Sequence, residues 1–168
     1  KQEKKKIDLL VLLSGPEPQR SIFEKIIIEQ IAQTENYTVI VRGLPETQTV
    51  IEHHNRNLVF VNYADSKLLN DYIVQSKKII ARSGYSTIMD LIMLQQYALL
   101  IPTPGQTEQE YLAAYLEGKY GFVTMSQEEI KSGSIFKKLP DSLSITPALQ
   151  MQFNQQVIID WLKGIPIT

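Results

Sequence analysis

Strand-like runs alternate with helix-like segments along most of this chain, and this alternation restricts its possible folds more than any other feature. Six short runs rich in β-branched residues are expected to be strands, at 7–14, 37–43, 57–64, 77–83, 97–103 and 122–125. Helical periodicity is expected at about 20–33, 66–75, 86–95, 108–119 and 147–163. Because parallel strands need crossover connections, the pattern predicts an α/β fold: a doubly wound, mostly parallel, Rossmann-like sheet.

Length and composition favour one domain. A chain of 168 residues with 43% hydrophobic residues can bury one sizeable core. We expect a single unit over residues 7–168, the last helix included. The lysine-rich segment KQEKKK at 1–6 is expected to be a solvated linker from a preceding domain.

Charge and cysteine content exclude several classes of function. Outside residues 1–6 the chain has 13 basic and 17 acidic residues, which argues against nucleic acid as a partner. With no cysteine it has no thiolate metal site and no disulfide, which is compatible with a reducing, cytoplasmic location. The longest apolar runs are of strand length, and a membrane-spanning helix needs about 20 residues.

Five loops follow predicted strands and are expected at the carboxyl edge of the sheet, where such folds bind ligands. They are SGPEPQR (14–20), RGLPE (42–46), NYADS (62–66), RSGYST (82–87) and PTPGQTEQE (102–110). Four of them contain a glycine where the backbone must turn sharply or approach a ligand closely.

The fourth loop combines small residues with the start of a helix. Free backbone N–H groups and the positive end of the helix dipole around Ser83, Gly84 and Thr87 would suit a phosphate. The alternative is an ordinary helix start capped by Ser86 or Thr87. Asp90 either accepts hydrogen bonds from a ribose diol or closes a capping arrangement with Thr87.

The fifth loop offers a similar choice. Thr107 and Glu110 match a capping box, which would give Glu110 a structural role. Gln109 and Glu110 in the first helical turn would also face the crevice at Ser83 and Gly84, where an amide and a carboxylate suit a polyhydroxylated substrate.

The remaining polar candidates carry weaker signals. His53 and His54 are adjacent, without a second ligand cluster, and are expected to be a solvated pair, so no metal site is predicted. Arg20 and Arg42 lie in ligand-edge loops and either bind phosphate or stay exposed. The motifs of P-loop NTPases, dinucleotide oxidoreductases and α/β-hydrolases are absent from the sequence.

The segments RSGYSTIMD and PTPGQTEQEYLAA, joined by LIMLQQYALLI, resemble the C-terminal, donor-binding half of GT-B glycosyltransferases. The resemblance is to family 28, which includes the lipid-linked N-acetylglucosaminyltransferase of peptidoglycan synthesis and the plant galactolipid synthases. It follows the element order over residues 7–163 and is specific over about 82–114. It implies a domain that binds a nucleotide diphosphate sugar, with uridine as the nucleoside.

The resemblance also implies roles for particular residues. The nucleotide would lie against Ser83, Gly84 and Thr87, with Asp90 on the ribose, where most relatives have glutamate. Sugar hydroxyls would be held by Gln109 and by Glu110, which stands where relatives commonly have an amide. Nucleobase contacts would come from the backbone around Ala64. Diphosphate contacts would come from Ser14, Gly15 and Arg20. Arg20 would neutralise the phosphate there because prolines 16 and 18 lack N–H donors.

The general base, on this resemblance, would belong to an N-terminal acceptor domain upstream, so this chain alone would bind a donor without transferring sugar. That acceptor domain would also provide any peripheral contact with the inner membrane face. No cofactor is expected. Two alternatives stay open: the donor half of a nucleotide-sugar epimerase or hydrolase, and a non-catalytic α/β interaction module.

Overall fold

A computed structural model of the chain describes residues 6–32, 34–44, 51–132 and 135–139. Its strands are β1 (Ile7–Leu12), β2 (Thr38–Val41), β3 (Ile51–Asn55), β4 (Leu58–Val61), β5 (Ser76–Arg82), β6 (Ala98–Ile101) and β7 (Phe122–Thr124). Its helices are α1 (Gln19–Ile31), α2 (Ser66–Gln75), α3 (Tyr85–Met93), α4 (Thr107–Leu116) and α5 (Gln127–Ser132), followed by a 3₁₀ turn at Ile135–Lys137. The predicted helix at 147–163 lies outside the described residues, as do residues 1–5 of the expected linker.

The seven strands form one sheet in the order β3-β4-β2-β1-β5-β6-β7. Neighbouring strands are parallel except for the edge pair of β3 and β4, which is antiparallel. The prediction of a doubly wound, mostly parallel α/β sheet is therefore confirmed. The strands β2, β4 and β3 lie on one side of β1, and the later strands β5, β6 and β7 lie on the other. The strand order therefore reverses between β1 and β5.

Two hydrophobic clusters cover the two faces of the sheet, as alternation along each strand requires. Leu10 and Leu12 of β1 belong to the cluster under α2, α3 and α4. Leu9 and Val11 belong to the cluster under α1 and α5. All four leave at most 6% of their surface exposed, so β1 is a central strand buried on both sides.

Two elements were missed by the sequence analysis. No strand was predicted at β3, and it forms because a short turn folds it against β4. Charged residues are common on edge strands, where they discourage pairing with another chain. Helix α5, a helix of six residues, is too short to show a clear period in the sequence.

Gly43 fixes the position of the loop after β2. It has a φ of +66°, and a Cβ on this residue would lie 2.6 Å from the carbonyl oxygen of Leu13. Only glycine permits both that conformation and that approach. The ends of β1 and β2 are therefore held in close contact at the ligand edge of the sheet.

None of the helices described here is long and apolar enough to cross a membrane.

Candidate functional site

The candidate site lies where the loops after β1 and β5 diverge. Leu12 of β1 is paired with Ala81 of β5, and Arg82 of β5 is paired with Ile101 of β6. The three strands therefore end at nearly the same level, at the point where the strand order reverses. In parallel α/β sheets this is the place where ligands bind.

Helix α3 begins at this point with its N-terminus uncapped by any described side chain. Gly84 is the N-cap residue, with φ −75° and ψ 143°, and has no side chain to accept from the first turn. The alternative in which Ser86 or Thr87 is the N-cap is wrong, because both lie inside the helix. The first N–H groups of a helix have no intrahelical acceptor, so they are available to an anion here.

The space beside Gly84 is open. A Cβ built on Gly84 meets no atom within 4 Å. Its neighbour Ser83 is fully buried, and the Ser83 Oγ donates a 2.8 Å hydrogen bond to the backbone carbonyl of Gln109. The two sequence segments singled out for the site are therefore in direct contact, through a serine that holds the first turn of α4 against the end of β5.

Asp90 lies one turn into α3 and is half-buried. Burial raises the pKa of its carboxyl above the ordinary value. No hydrogen bond joins Asp90 to Thr87 among the described residues, so the predicted capping arrangement between them is not formed. The Asp90 carboxylate thus remains available to accept hydrogen bonds from a hydroxyl-bearing ligand.

The loop between β6 and α4 is held by the residues expected to bind sugar. Gln109 is 9% exposed. Its Oε1 accepts from the N–H of Thr103 at 3.0 Å, and its Nε2 donates to Oε1 of Gln106 at 2.5 Å. Oε1 of the exposed Glu110 accepts from the N–H of Gly105 at 3.0 Å. Both side chains therefore shape this loop, each with polar capacity left over: one N–H of the Gln109 amide and the second Glu110 oxygen.

The capping box predicted at Thr107 is wrong in its register. Gln106 is the N-cap residue of α4 and Thr107 is the first helical residue. Glu110 still bonds a backbone N–H at the helix start, but that N–H belongs to Gly105, one residue before the cap. Gly105 turns the segment before the helix with a φ of +79°.

Arg20 occupies the first turn of α1. Its guanidinium is paired with Glu17 and with Glu24, the latter at 3.0 Å. It borders an open groove of about 520 Å³ that is lined by α1, Arg42 and Leu44. Neither Ser83 nor Gly84 lines this groove.

Arg42 also has acidic and aromatic neighbours. Its Nη2 lies 2.8 Å from Oε1 of Glu24, and its guanidinium lies 4.3 Å from the ring centroid of Phe60.

In the loop after β4, Ala64 packs on the core beneath α2, and Asp65 caps α2 by accepting from the N–H of Leu68 at 2.8 Å. The loop after β4 is therefore held in place by the capped first turn of α2.

The loop after β1 contributes Ser14, which is half-buried, and Gly15, which is exposed and has a φ of +99°. A Cβ on Gly15 would lie 3.6 Å from Oγ1 of Thr103. This loop therefore reaches across the end of β5 to the loop after β6. Ser14 and Gly15 lie at the edge where Gly84 opens α3.

Arg82 was not singled out as a site residue by the sequence analysis. It is fully buried and donates to the carbonyls of Pro102 (3.0 Å) and Gln19 (3.2 Å). Its guanidinium lies 3.9 Å from the ring centroid of Phe23, and burial lowers its pKa to about 10. The sequence did contain a signal for this role: Arg82 ends an apolar strand, and a charge buried there must find partners inside the protein.

The sheet is mostly parallel, its ligand-edge loops lie at the reversal of strand order, and a helix N-terminus is uncapped there. These features define the class of Rossmann-like α/β domains. Residues 10–157 match the family model described as glycosyltransferase family 28 C-terminal domain. The chain belongs to this family, which confirms the resemblance seen in the sequence. None of the curated proteins matches the chain.

Solved structures show the same fold at low sequence identity. The glycosyltransferase SnogD from Streptomyces nogalater is 14% identical with a TM-score of 0.50, over 76% of this chain and 32% of that one. The spinosyn forosaminyltransferase SpnP is 13% identical with a TM-score of 0.51, over 77% and 34%. The NMR structure of ALG13 is 13% identical with a TM-score of 0.53, over 86% and 93%. The chain thus spans about a third of the first two proteins and nearly all of ALG13.

Proposed function

We propose that this chain is the donor-binding domain of a glycosyltransferase, and that it binds a nucleotide diphosphate sugar with uridine as the nucleoside. The observation that carries the proposal is the uncapped N-terminus of α3, which opens beside Gly84 at the reversal of strand order. Membership of family 28 supports the same function.

The diphosphate would lie at Gly84 and accept hydrogen bonds from the first N–H groups of α3, with Ser14 and Gly15 on its other side. As the bond between sugar and diphosphate breaks, negative charge grows on the leaving phosphate. The helix dipole and fixed N–H donors stabilise this charge without having to reorganise. Arg20 would assist only by exchanging one of its two glutamate partners for phosphate, and Glu17 is the more exposed of the two.

The nucleoside and the sugar would lie on opposite sides of the diphosphate. Asp90 would accept hydrogen bonds from the ribose, and the backbone at Ala64 would contact the nucleobase. The free N–H of the Gln109 amide and the second oxygen of Glu110 would bind sugar hydroxyls, while their other atoms keep the loop in shape.

The acceptor and the general base would come from a second half, either joined before residue 7 or supplied by another chain. With that half the protein would act at the cytoplasmic face of the inner membrane, because the family that the sequence resembles includes enzymes with lipid-linked acceptors. Alone, the present chain would bind donor without transferring sugar.

Calorimetry of the full chain with UDP, dTDP, GDP and ADP tests the proposal. We expect saturable binding of UDP, and weaker binding in Asp90→Ala, because the ribose loses its acceptor. Asp90→Glu is the matched control and should retain binding, since it keeps a carboxylate. If none of the four nucleotides binds at millimolar concentration, the chain is not a donor domain and the interaction module is favoured.

A further inference from the structure

Thr103 has a buried hydroxyl that no described group satisfies. The residue follows β6 by two positions and is 2% exposed. Its Oγ1 has no hydrogen-bond partner among the described residues. Its backbone is fully used, because the N–H donates to Gln109 and the carbonyl accepts from the N–H of Gln106 at 3.1 Å. The backbone of Thr103 is thus held in place, and the hydroxyl of its side chain is an unused hydrogen-bond donor.

The Thr103 hydroxyl faces the phosphate end of the candidate site. Because Arg82 pairs with Ile101, Thr103 comes level with Gly84 on the adjacent strand end. Its Oγ1 lies 3.6 Å from the position that a Cβ on Gly15 would take. The hydroxyl is therefore directed across the end of β5 toward the loop after β1, and Gly15 covers it.

Other polar groups around it have partners. Ser83 Oγ donates to the carbonyl of Gln109, and the Gln109 side chain is bonded to Thr103 and Gln106. An unsatisfied buried hydroxyl is unfavourable in a folded protein, and such groups in native structures have a reason. An anion bound beside the uncapped helix N-terminus would supply the missing partner.

We propose that the Thr103 hydroxyl is a phosphate-binding group of the donor site, uncovered when the bound diphosphate displaces the Gly15 segment. The inference rests on the proposed function and adds a donor from the loop after β6. The hydroxyl donates to a phosphate oxygen that also accepts from the N-terminus of α3. The Gly15 segment can be displaced easily, because Gly15 is exposed and has no side chain whose contacts would be lost.

Thr103→Val tests this role, because it removes the hydroxyl and keeps the shape. UDP and uridine are titrated into the full chain by calorimetry. We expect Thr103→Val to weaken UDP binding by at least about tenfold, the lower limit for a hydrogen bond to a charged group, and to leave uridine binding unchanged. Thr103→Ser retains the hydroxyl and should bind UDP like the original chain. Thr103→Ala serves the same purpose if the valine variant does not fold.

Thermal melting without ligand separates this role from a structural one. A hydroxyl with no partner contributes nothing to the free protein, so Thr103→Val should melt no lower than the original chain. Unchanged UDP affinity in a folded Thr103→Val variant would overturn the inference and leave the proposed function standing, and a lower melting temperature beside it would show a structural role for the hydroxyl. If the original chain itself binds no nucleotide, the proposed function fails and this inference with it.

Discussion

Arg82 and Gln127 are joined by a 2.7 Å hydrogen bond between Nη2 and Oε1, and both residues are buried. The bond connects the end of β5, next to the site, to the first residue of α5. Because Arg82 also donates to the carbonyls of Pro102 and Gln19, one guanidinium holds together the loop after β6, the start of α1 and the start of α5.

Replacing Arg82 with methionine should lower the free energy of unfolding by about 3 kcal/mol, because several buried acceptors lose their donor. Urea denaturation followed by circular dichroism measures this. Gln127→Ala is the matched control: it removes one acceptor and leaves both carbonyl bonds, so a loss of about 1 kcal/mol is expected. Equal losses in the two variants would show that Arg82 does not link the three segments.

Gly43→Ala should be among the most destabilising single-methyl additions in the chain. The new Cβ would lie 2.6 Å from the Leu13 carbonyl oxygen, in a residue with a φ of +66°. Gly118→Ala is the comparison, because Gly118 has a φ of +70° but no atom within 4 Å of the added carbon. We expect a loss of about 1 kcal/mol from conformation alone at Gly118, and at least about 3 kcal/mol at Gly43. Similar urea midpoints for both variants would contradict the close approach.

Asp8 should make stability depend on pH in the acid range. Its Oδ1 accepts from Lys77 Nζ at 2.5 Å and its Oδ2 accepts from the N–H of Tyr37 at 3.0 Å. The hydrogen bond from Lys77, helped by that from Tyr37, lowers the pKa of Asp8 below its ordinary value. A carboxyl with a lowered folded-state pKa contributes stability above its unfolded pKa of about 4, and this is lost as the pH falls through the folded value.

Asp8→Asn should therefore have a lower urea midpoint than the original chain at pH 7, and the difference should shrink well below about pH 4. Lys77→Met, which keeps the bond to Tyr37, should give a smaller loss at pH 7. A difference for Asp8→Asn that is constant from pH 7 to pH 2.5 would show that the carboxylate's charge does not matter.

Gln109→Ala should reduce binding of the nucleotide sugar more than binding of the nucleotide, because it removes the amide N–H that would bind sugar, whereas it affects UDP only through the loss of the acceptor for the Thr103 N–H. Calorimetry with UDP-glucose, UDP-N-acetylglucosamine and UDP gives the two affinities. Gln106→Ala is the control, since it removes the 2.5 Å partner of Gln109 Nε2 and leaves the amide itself in place. An equal loss for UDP and for its sugars in Gln109→Ala would contradict a role in sugar binding.

Local chemistry was enough to predict most of the secondary structure. The helix expected at 66–75 is α2, with the bounds as predicted, and it is capped by Asp65 as an N-cap aspartate should be. The helices expected near 86 and 108 begin at Tyr85 and Thr107. Predictions were less accurate at the starts of α3 and α4, because their N-cap residues Gly84 and Gln106 make no side-chain capping hydrogen bond.

The sequence by itself determined the fold class and the position of the ligand edge, because hydrophobic periodicity and turn residues act within a few residues of one another. Only the tertiary structure decided which polar groups are free. The partners of Arg82, the contact of Ser83 with Gln109, and the placement of Thr103 beneath Gly15 all join residues distant in the chain. Such contacts depend on how strand ends are aligned in the sheet, and that alignment is set by the packing of the whole core.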